Sequence, residues 1–109
     1  MIEINAVLDK NGTLKACSAC GHAGAGSKGT DIVCSAVSVL LRTAVCVLSD
    51  RKGISIRYDA PKPGFLKLEA DYTAEGKNFL DAVGIFLIEG LKSVAQEYPL
   101  YCKFNLLQN

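Results

Sequence analysis

A histidine and a cysteine bound the segment GHAGAGSKGTDIVC, which spans residues 21–34. His22 is the single histidine of the chain, and Cys34 follows it after a glycine-rich stretch. The thiolate is the nucleophilic form of cysteine, and an adjacent imidazole can take the thiol proton and later protonate a leaving amine. The pair therefore predicts nucleophilic catalysis, with Cys34 as the attacking group and His22 as the general base.

The residues around Cys34 suggest how it would be activated. We expect Asp31 at or next to the N-cap of a helix, which would place Cys34 in the first turn. Unpaired N–H groups and the positive end of the helix dipole stabilise a thiolate there and could hold an oxyanion. Ser38 lies one turn later on the same face and could steady the sulfur or the substrate.

The stretch from Ala23 to Thr30 is predicted to be a flexible loop that closes over a peptide. Its characteristic members are Ala23, Gly24, Gly26, Gly29 and Thr30. The three glycines also match G-x-G-x-x-G, a phosphate-binding pattern. That pattern belongs to a parallel βαβ unit, whereas the strand before it here is half of a predicted hairpin. A plain turn is a further interpretation, but such glycine density sacrifices backbone order that a simple connection would keep.

A metal site is the remaining alternative. Cys17 and Cys20 have the spacing of a zinc knuckle, and His22 and Cys34 could add ligands. A second close pair of ligands is missing, because Cys34 and Cys46 lie twelve residues apart on one predicted helix. We therefore predict no metal and no cofactor, with a role for Cys17 and Cys20 left open.

The elements that position these residues follow from hydrophobic periodicity. Alternation over Ile2 to Leu8, followed by Asn11-Gly12, predicts a hairpin. Ile32 to Leu48 is apolar nearly all round and predicts a helix buried on most sides. The remaining predicted elements are a hairpin of Ile54 to Tyr58 and Leu66 to Ala70 around APKPG, a helix from Thr73 that stops near Tyr98 before Pro99, and a strand from Leu100 to Leu106.

The predicted fold class is α+β: two β-hairpins, two helices and a C-terminal strand form a mostly antiparallel sheet covered by helices. The 109 residues fit a single domain, residues 1–109. Ile85 and Ile88 flank the main apolar stripe of the second helix, so the helices carry more apolar surface than one sheet hides. This surplus predicts a homodimer.

Composition narrows the function classes. The twelve basic residues are scattered, which argues against direct binding of nucleic acid. The longest apolar stretch is interrupted by polar residues and is shorter than a membrane span, and Ile2 to Leu8 alternates where a signal peptide would not. We expect a cytoplasmic protein away from membranes. Its five cysteines should be mostly reduced, with Cys46 and Cys102 packed in the core.

GHAG, Gly29, Asp31 and DIVCSAVSVL together resemble the signature of the ribosomal-processing cysteine protease family Prp, and the similarity extends over essentially the whole chain. The resemblance implies a homodimeric endopeptidase, without a cofactor, that removes the N-terminal extension of large-subunit ribosomal protein twenty-seven. It implies His22 and Cys34 as the catalytic pair and Gly21, Asp31 and Ser38 as supporting residues. The alternative is a noncatalytic ribosome-assembly or protein-binding module of the same fold.

Overall fold

The computed structural model describes residues 1–21, 28–62 and 64–109, without the side chains of residues 28–31. Its elements in chain order are β1 (Ile2–Leu8), β2 (Leu14–Cys20), α1 (Lys28–Leu48), β3 (Ile54–Lys62), β4 (Phe65–Tyr72), α2 (Lys77–Glu97) and β5 (Cys102–Gln108). The five strands form one sheet in the order β3-β4-β2-β1-β5. All neighbours are antiparallel except β1 and β5, so the predicted α+β class with a mostly antiparallel sheet is confirmed.

The first hairpin turns where the sequence predicts it. Gly12 adopts a φ of +80°, a conformation that glycine reaches without strain. The Asp9 carboxylate accepts hydrogen bonds from the backbone N–H groups of Asn11, at 2.8 Å, and Thr13, at 3.0 Å. This is the local pattern by which aspartate stabilises a turn, and it fixes the register of β1 against β2.

The second hairpin has longer strands than predicted. β3 continues through Pro61 to Lys62, so only residues 63 and 64 separate it from β4. A proline is tolerated in β3 because that strand lies at the edge of the sheet, and the pairing register shifts between Asp59 and Lys62. Gly64 completes the turn with a φ of +82°.

Both helices pack against one face of the sheet. Side chains that are completely buried come from each layer, including Ile4 on β1, Leu68 on β4, Leu41 on α1 and Leu91 on α2. A smaller cluster joins Leu48, Ala70 and Leu80 at the far end. The opposite face of the sheet carries exposed polar residues, which is the alternation expected of a sheet with one solvated face.

The predicted end of the second helix agrees with the structure, whereas the predicted start of the first helix does not. α2 ends at Glu97, where the Tyr98 N–H still donates to the Val94 carbonyl at 2.9 Å, so the predicted stop before Pro99 is confirmed. α1 begins at Lys28, and the expected start near Asp31 and Ile32 is wrong. In the described residues, neither helix is long and apolar enough to cross a membrane.

The prediction that α1 is buried on most sides is also wrong. Ile32 and Val39 are 52% and 53% exposed, and Cys46, expected in the core, is exposed as well. The reason is that, among the described residues, α1 packs on the sheet and α2, which leaves an outward apolar stripe exposed in one chain. Cys102 is 3% exposed, so its predicted burial is confirmed.

Candidate active site

A partly open cavity of about 130 Å³ lies between α1 and the end of the sheet where β1 begins and β2 ends. It is lined by Ile2, Ala19, Cys20, Gly21, Cys34, Val37, Ser38, Gly64 and Leu66. Three residues that the sequence singles out, Gly21, Cys34 and Ser38, therefore meet at one place. Most of the other walls are small or apolar, a lining suited to an uncharged side chain or a peptide backbone.

Gly21 shapes the sheet side of this cavity. Its N–H donates to the carbonyl of Gly64 at 2.9 Å, which joins the end of β2 to the β3–β4 turn. Its φ is +144°, and a Cβ added there would collide with the Met1 carbonyl oxygen and approach the Ile2 Cα to 2.9 Å. Only glycine fits this position, both in backbone conformation and in space.

Cys34 and Ser38 form the helix side. They are one turn apart on α1, both are half-buried, and both line the cavity. The prediction that they share one helical face is therefore confirmed. Cys34 also packs against the main core cluster, so its side chain bridges the core and the cavity.

The expectation that Cys34 lies in the first helical turn is wrong. Because α1 begins at Lys28, Cys34 is its seventh residue and belongs to the second turn. Only the first four N–H groups of a helix lack an intrahelical partner, and the dipole effect fades beyond the first turn. Cys34 therefore does not receive the activation by the start of the helix that we expected.

Several of the predicted site residues have no described side chain. His22, Ala23, Gly24 and Gly26 lie outside the described residues. A second group, Gly29, Thr30 and Asp31, belongs to α1 by backbone, but its side chains are not described. Residues 28–30 are therefore helical instead of part of the predicted loop. The flexibility of the remaining loop and the role of Asp31 stay predictions.

The buried cysteines differ electrostatically from a surface thiol. Burial raises the pKa of the Cys17 thiol to about 12. The pKa of Cys102 is also raised, chiefly by burial and additionally by the negative charge of a Cys34 thiolate. Both buried groups therefore remain thiols at neutral pH and are poor nucleophiles.

The zinc-knuckle alternative conflicts with the geometry of β2. Cys17 is fully buried beneath the helices, whereas Cys20 is exposed and pairs with Glu3 on the solvated face. Residues three apart on a strand point to opposite faces, so these two thiols cannot bind one ion. Among the described side chains, no group of three potential ligands is close enough to hold a metal.

The sequence did not reveal most of the cavity walls. Ile2, Ala19, and the pair Gly64 and Leu66 come from three different parts of the chain and meet because β2 pairs with both β1 and β4. The one available signal was the glycine that ends APKPG, since a glycine in a tight turn allows a close approach of backbone.

The fold and this thiol-lined cavity are those of a small α+β cysteine peptidase. The family model described as "Cysteine protease Prp" matches residues 1–103, so the chain belongs to the Prp family of cysteine proteases. A search of curated proteins returned no match.

Solved structures agree with this assignment at the level of the fold. The protein SMU.848 from Streptococcus mutans is 27% identical with a TM-score of 0.79, and the alignment covers 100% of this chain and 96% of that one. The essential ribosomal processing protease Prp from S. aureus, in complex with a substrate peptide, is 22% identical with a TM-score of 0.76, covering 97% and 99%. The same S. aureus protease with a covalently linked product peptide is 18% identical with a TM-score of 0.73, and the alignment covers 97% of this chain and 99% of that one.

Proposed function

We propose that this cysteine protease uses Cys34 and His22 to remove the N-terminal extension of large-subunit ribosomal protein twenty-seven. The observation that carries the proposal is that Gly21 and Cys34 line one cavity, because Gly21 is followed directly by His22 in the chain. The S. aureus relative, a ribosomal processing protease captured with substrate and product peptides, supports the choice of substrate. Such a substrate implies a cytoplasmic enzyme.

The chemistry requires two half-reactions. His22 takes the proton of Cys34, and the sulfur attacks the carbonyl carbon of the scissile peptide. His22 then protonates the leaving amine, which leaves an acyl-enzyme bound through a thioester. In the second half a water molecule, deprotonated by His22, attacks the thioester and releases the carboxylate.

Ser38, one turn from Cys34 along the cavity wall, helps to position the sulfur or the substrate backbone. Gly21 keeps the sheet side of the cavity open, and Asp31 and the remaining loop, residues 23–27, assist closure over the peptide.

The test is cleavage of a synthetic peptide that spans the extension and the first residues of the mature ribosomal protein. The native enzyme should release two fragments, while Cys34→Ala and His22→Ala should release none above background. Cys46→Ala is the matched control, because Cys46 is an exposed cysteine of the same helix, away from the cavity. Its cleavage rate should equal that of the native enzyme. Tight binding of the peptide without cleavage would favour the noncatalytic module instead.

We further propose that the whole chain forms one domain that acts as a homodimer and has no direct contact with nucleic acid. Support for the dimer comes from an apolar groove of about 320 Å³ between α1 and α2. Val47 and Phe86 line it, and Phe86 is 74% exposed beside it. A protruding ring next to an apolar groove is the pattern of a self-complementary two-fold interface.

Light scattering coupled to size-exclusion chromatography tests the dimer. Phe86→Lys should convert a dimer into a monomer, because it places a charge in an apolar interface. Leu107→Lys is the control, since Leu107 is 53% exposed but belongs to β5, away from the groove. A native protein that elutes as a monomer at all concentrations, or a Phe86→Lys variant that stays dimeric, would contradict this interface.

A further inference from the structure

A second thiol lies close to the proposed nucleophile on the core side of the cavity. Cys102 on β5 is paired across the parallel strands with Ile2 of β1, and Ile2 lines the cavity together with Cys34. Cys34 in turn packs against the core cluster that contains both Ile2 and Cys102. Cys34 on α1 thus shares a cavity with Ile2, and Cys102 in the sheet is the neighbour of Ile2 on the adjacent strand.

Cys17 and Cys46 are too far away to take this place. Cys17 is paired with Ala6, which is four residues along β1 from Ile2 and thus about 13 Å from that row of the sheet. Cys46 is twelve residues from Cys34 on the same helix, a separation of about 18 Å. Cys46 is therefore beyond the Cα separation of about 7 Å that a disulfide with Cys34 requires, and Cys17 lies away from the Ile2 end of the sheet that borders the cavity.

Cys20 is nearer but faces the wrong way. It contributes to the cavity at the end of β2, yet its pairing with Glu3 and its exposure place its side chain on the solvated face of the sheet. Cys34 packs on the other face. Cys102 thus lies on the helix-covered face of the sheet, as Cys34 does, and is paired with Ile2, a wall of the cavity that Cys34 also lines.

The electrostatics of the pair agree with this placement. A thiolate at Cys34 raises the pKa of Cys102 beyond the effect of burial alone, which means that the two groups interact. While Cys34 carries its charge, Cys102 remains a neutral thiol and does not interfere with peptide chemistry. If Cys34 is converted into an uncharged oxidised form, this repulsion disappears and Cys102 ionises more easily, while burial, the larger cause, still raises its pKa.

We propose that Cys102 is a resolving cysteine that captures oxidised Cys34 as a reversible intramolecular disulfide and so protects the protease from permanent oxidation. This inference rests on the proposed role of Cys34 as the reactive nucleophile. It assigns Cys102 a function that peptide hydrolysis does not require. β5 is an edge strand held in the sheet through β1, and Cys102 is its first residue.

The oxidant is hydrogen peroxide, and the steps balance as follows. The Cys34 sulfur attacks one peroxide oxygen, the O–O bond breaks, and hydroxide leaves, which gives a sulfenic acid at Cys34. The Cys102 thiolate then attacks that sulfur, the S–O bond breaks, and a second hydroxide leaves as the S–S bond forms. With the two thiol protons the hydroxides become two molecules of water, and two electrons have passed from the thiols to the peroxide. A dithiol such as dithiothreitol reverses the bond by thiol–disulfide exchange.

The test treats the native full-length protein with hydrogen peroxide, blocks remaining thiols, and maps disulfides by mass spectrometry without reduction. The expected product is a peptide pair linked through Cys34 and Cys102, with loss of cleavage activity that dithiothreitol restores. In Cys102→Ala the same treatment should carry Cys34 to sulfinic or sulfonic acid, and the activity should not return. Cys102→Val, which keeps an apolar group of similar size, should behave like Cys102→Ala and guards against a folding defect.

Cys20→Ser and Cys46→Ser are the controls for disulfide mapping, and both should still form the Cys34–Cys102 link. A link from Cys34 to Cys20, or overoxidation of Cys34 in the native protein without any link to Cys102, would overturn the inference. The disulfide result can be told apart from the result for the proposed function, because disulfide mapping does not require cleavage of a peptide substrate. A Cys34–Cys102 bond in a protein that fails to cut the ribosomal peptide would refute the substrate while supporting the thiol pair.

Discussion

Replacing Gly21 by alanine tests whether the sheet side of the cavity is built as the structure indicates. A Cβ at this position meets the Met1 carbonyl oxygen and lies 2.9 Å from the Ile2 Cα, and both obstacles are backbone atoms that cannot rotate away. The backbone must also hold a φ of +144°, which is unfavourable for alanine. Gly21→Ala therefore combines conformational strain with overpacking.

Gly12 provides a matched comparison for the loss of stability expected of Gly21→Ala. Gly12 also has a positive φ, +80°, but a Cβ there meets nothing within 4 Å. Gly12→Ala should cost about 1 kcal/mol, because the left-handed penalty of roughly 1–2 kcal/mol is partly offset by the lower entropy of the unfolded chain. For Gly21→Ala, strain of about 1–3 kcal/mol and overpacking of about 1–3 kcal/mol together give a loss near 3 kcal/mol.

Urea denaturation and thermal unfolding measure both variants. The expected difference of about 2 kcal/mol between them corresponds to roughly 8 °C or more in Tm for a domain of this size. Gly21→Ala should also lower kcat/KM for the peptide, because the strain is relieved by moving Ile2, a wall of the cavity. Equal stability losses in the two variants would refute the packing argument, and unchanged cleavage by Gly21→Ala would separate Gly21 from the site.

Two further predictions concern protonation. Asp9 accepts a hydrogen bond from the Tyr72 hydroxyl at 2.5 Å, and this bond, aided by the amides of Thr13 and Asn11, lowers the pKa of Asp9 below its ordinary 3.8. A carboxyl group whose pKa is lower in the folded than in the unfolded state stabilises the fold at pH values above its unfolded-state pKa. That stabilisation is lost as the pH falls through the folded-state pKa. Tyr72→Phe should thus reduce the free energy of unfolding by about 1 kcal/mol at pH 7, with a smaller difference once the pH falls below the lowered pKa of Asp9. An equal difference in neutral and acidic solution would contradict this prediction. In alkylation of the native protein at pH 7, the buried Cys102, whose pKa is raised, should react more slowly than Cys34, and labelling of Cys102 first would contradict the described core.

The elements of the fold were largely predictable because their hydrophobic patterns are local. Ile2, Ile4 and Ala6 alternate toward the core as the sequence indicates, and Pro99 ends α2 where expected. The start of α1 was mispredicted because Gly29 and Asp31 indicate a loop and a cap when taken alone. A helix can accept both in its first turn at a cost of about 1 kcal/mol, so such signals define a boundary weakly.

The site was predictable in its chemistry but not in its walls. Cys34 and Ser38 share a face because of helical spacing, which the sequence contains. That Ile2 and Leu66 complete the cavity depends on the strand order, which arises from pairing between segments far apart in the chain. The parallel position of β5 beside β1, which brings Cys102 close to Cys34, is non-local for the same reason.

Cleavage of the ribosomal precursor peptide by native protein, Cys34→Ala and Cys46→Ala, measured in parallel by mass spectrometry, tests the central claim most directly. We expect a single cut at the end of the extension by the native protein and by Cys46→Ala, and no cut by Cys34→Ala. Undiminished cleavage by Cys34→Ala would contradict it.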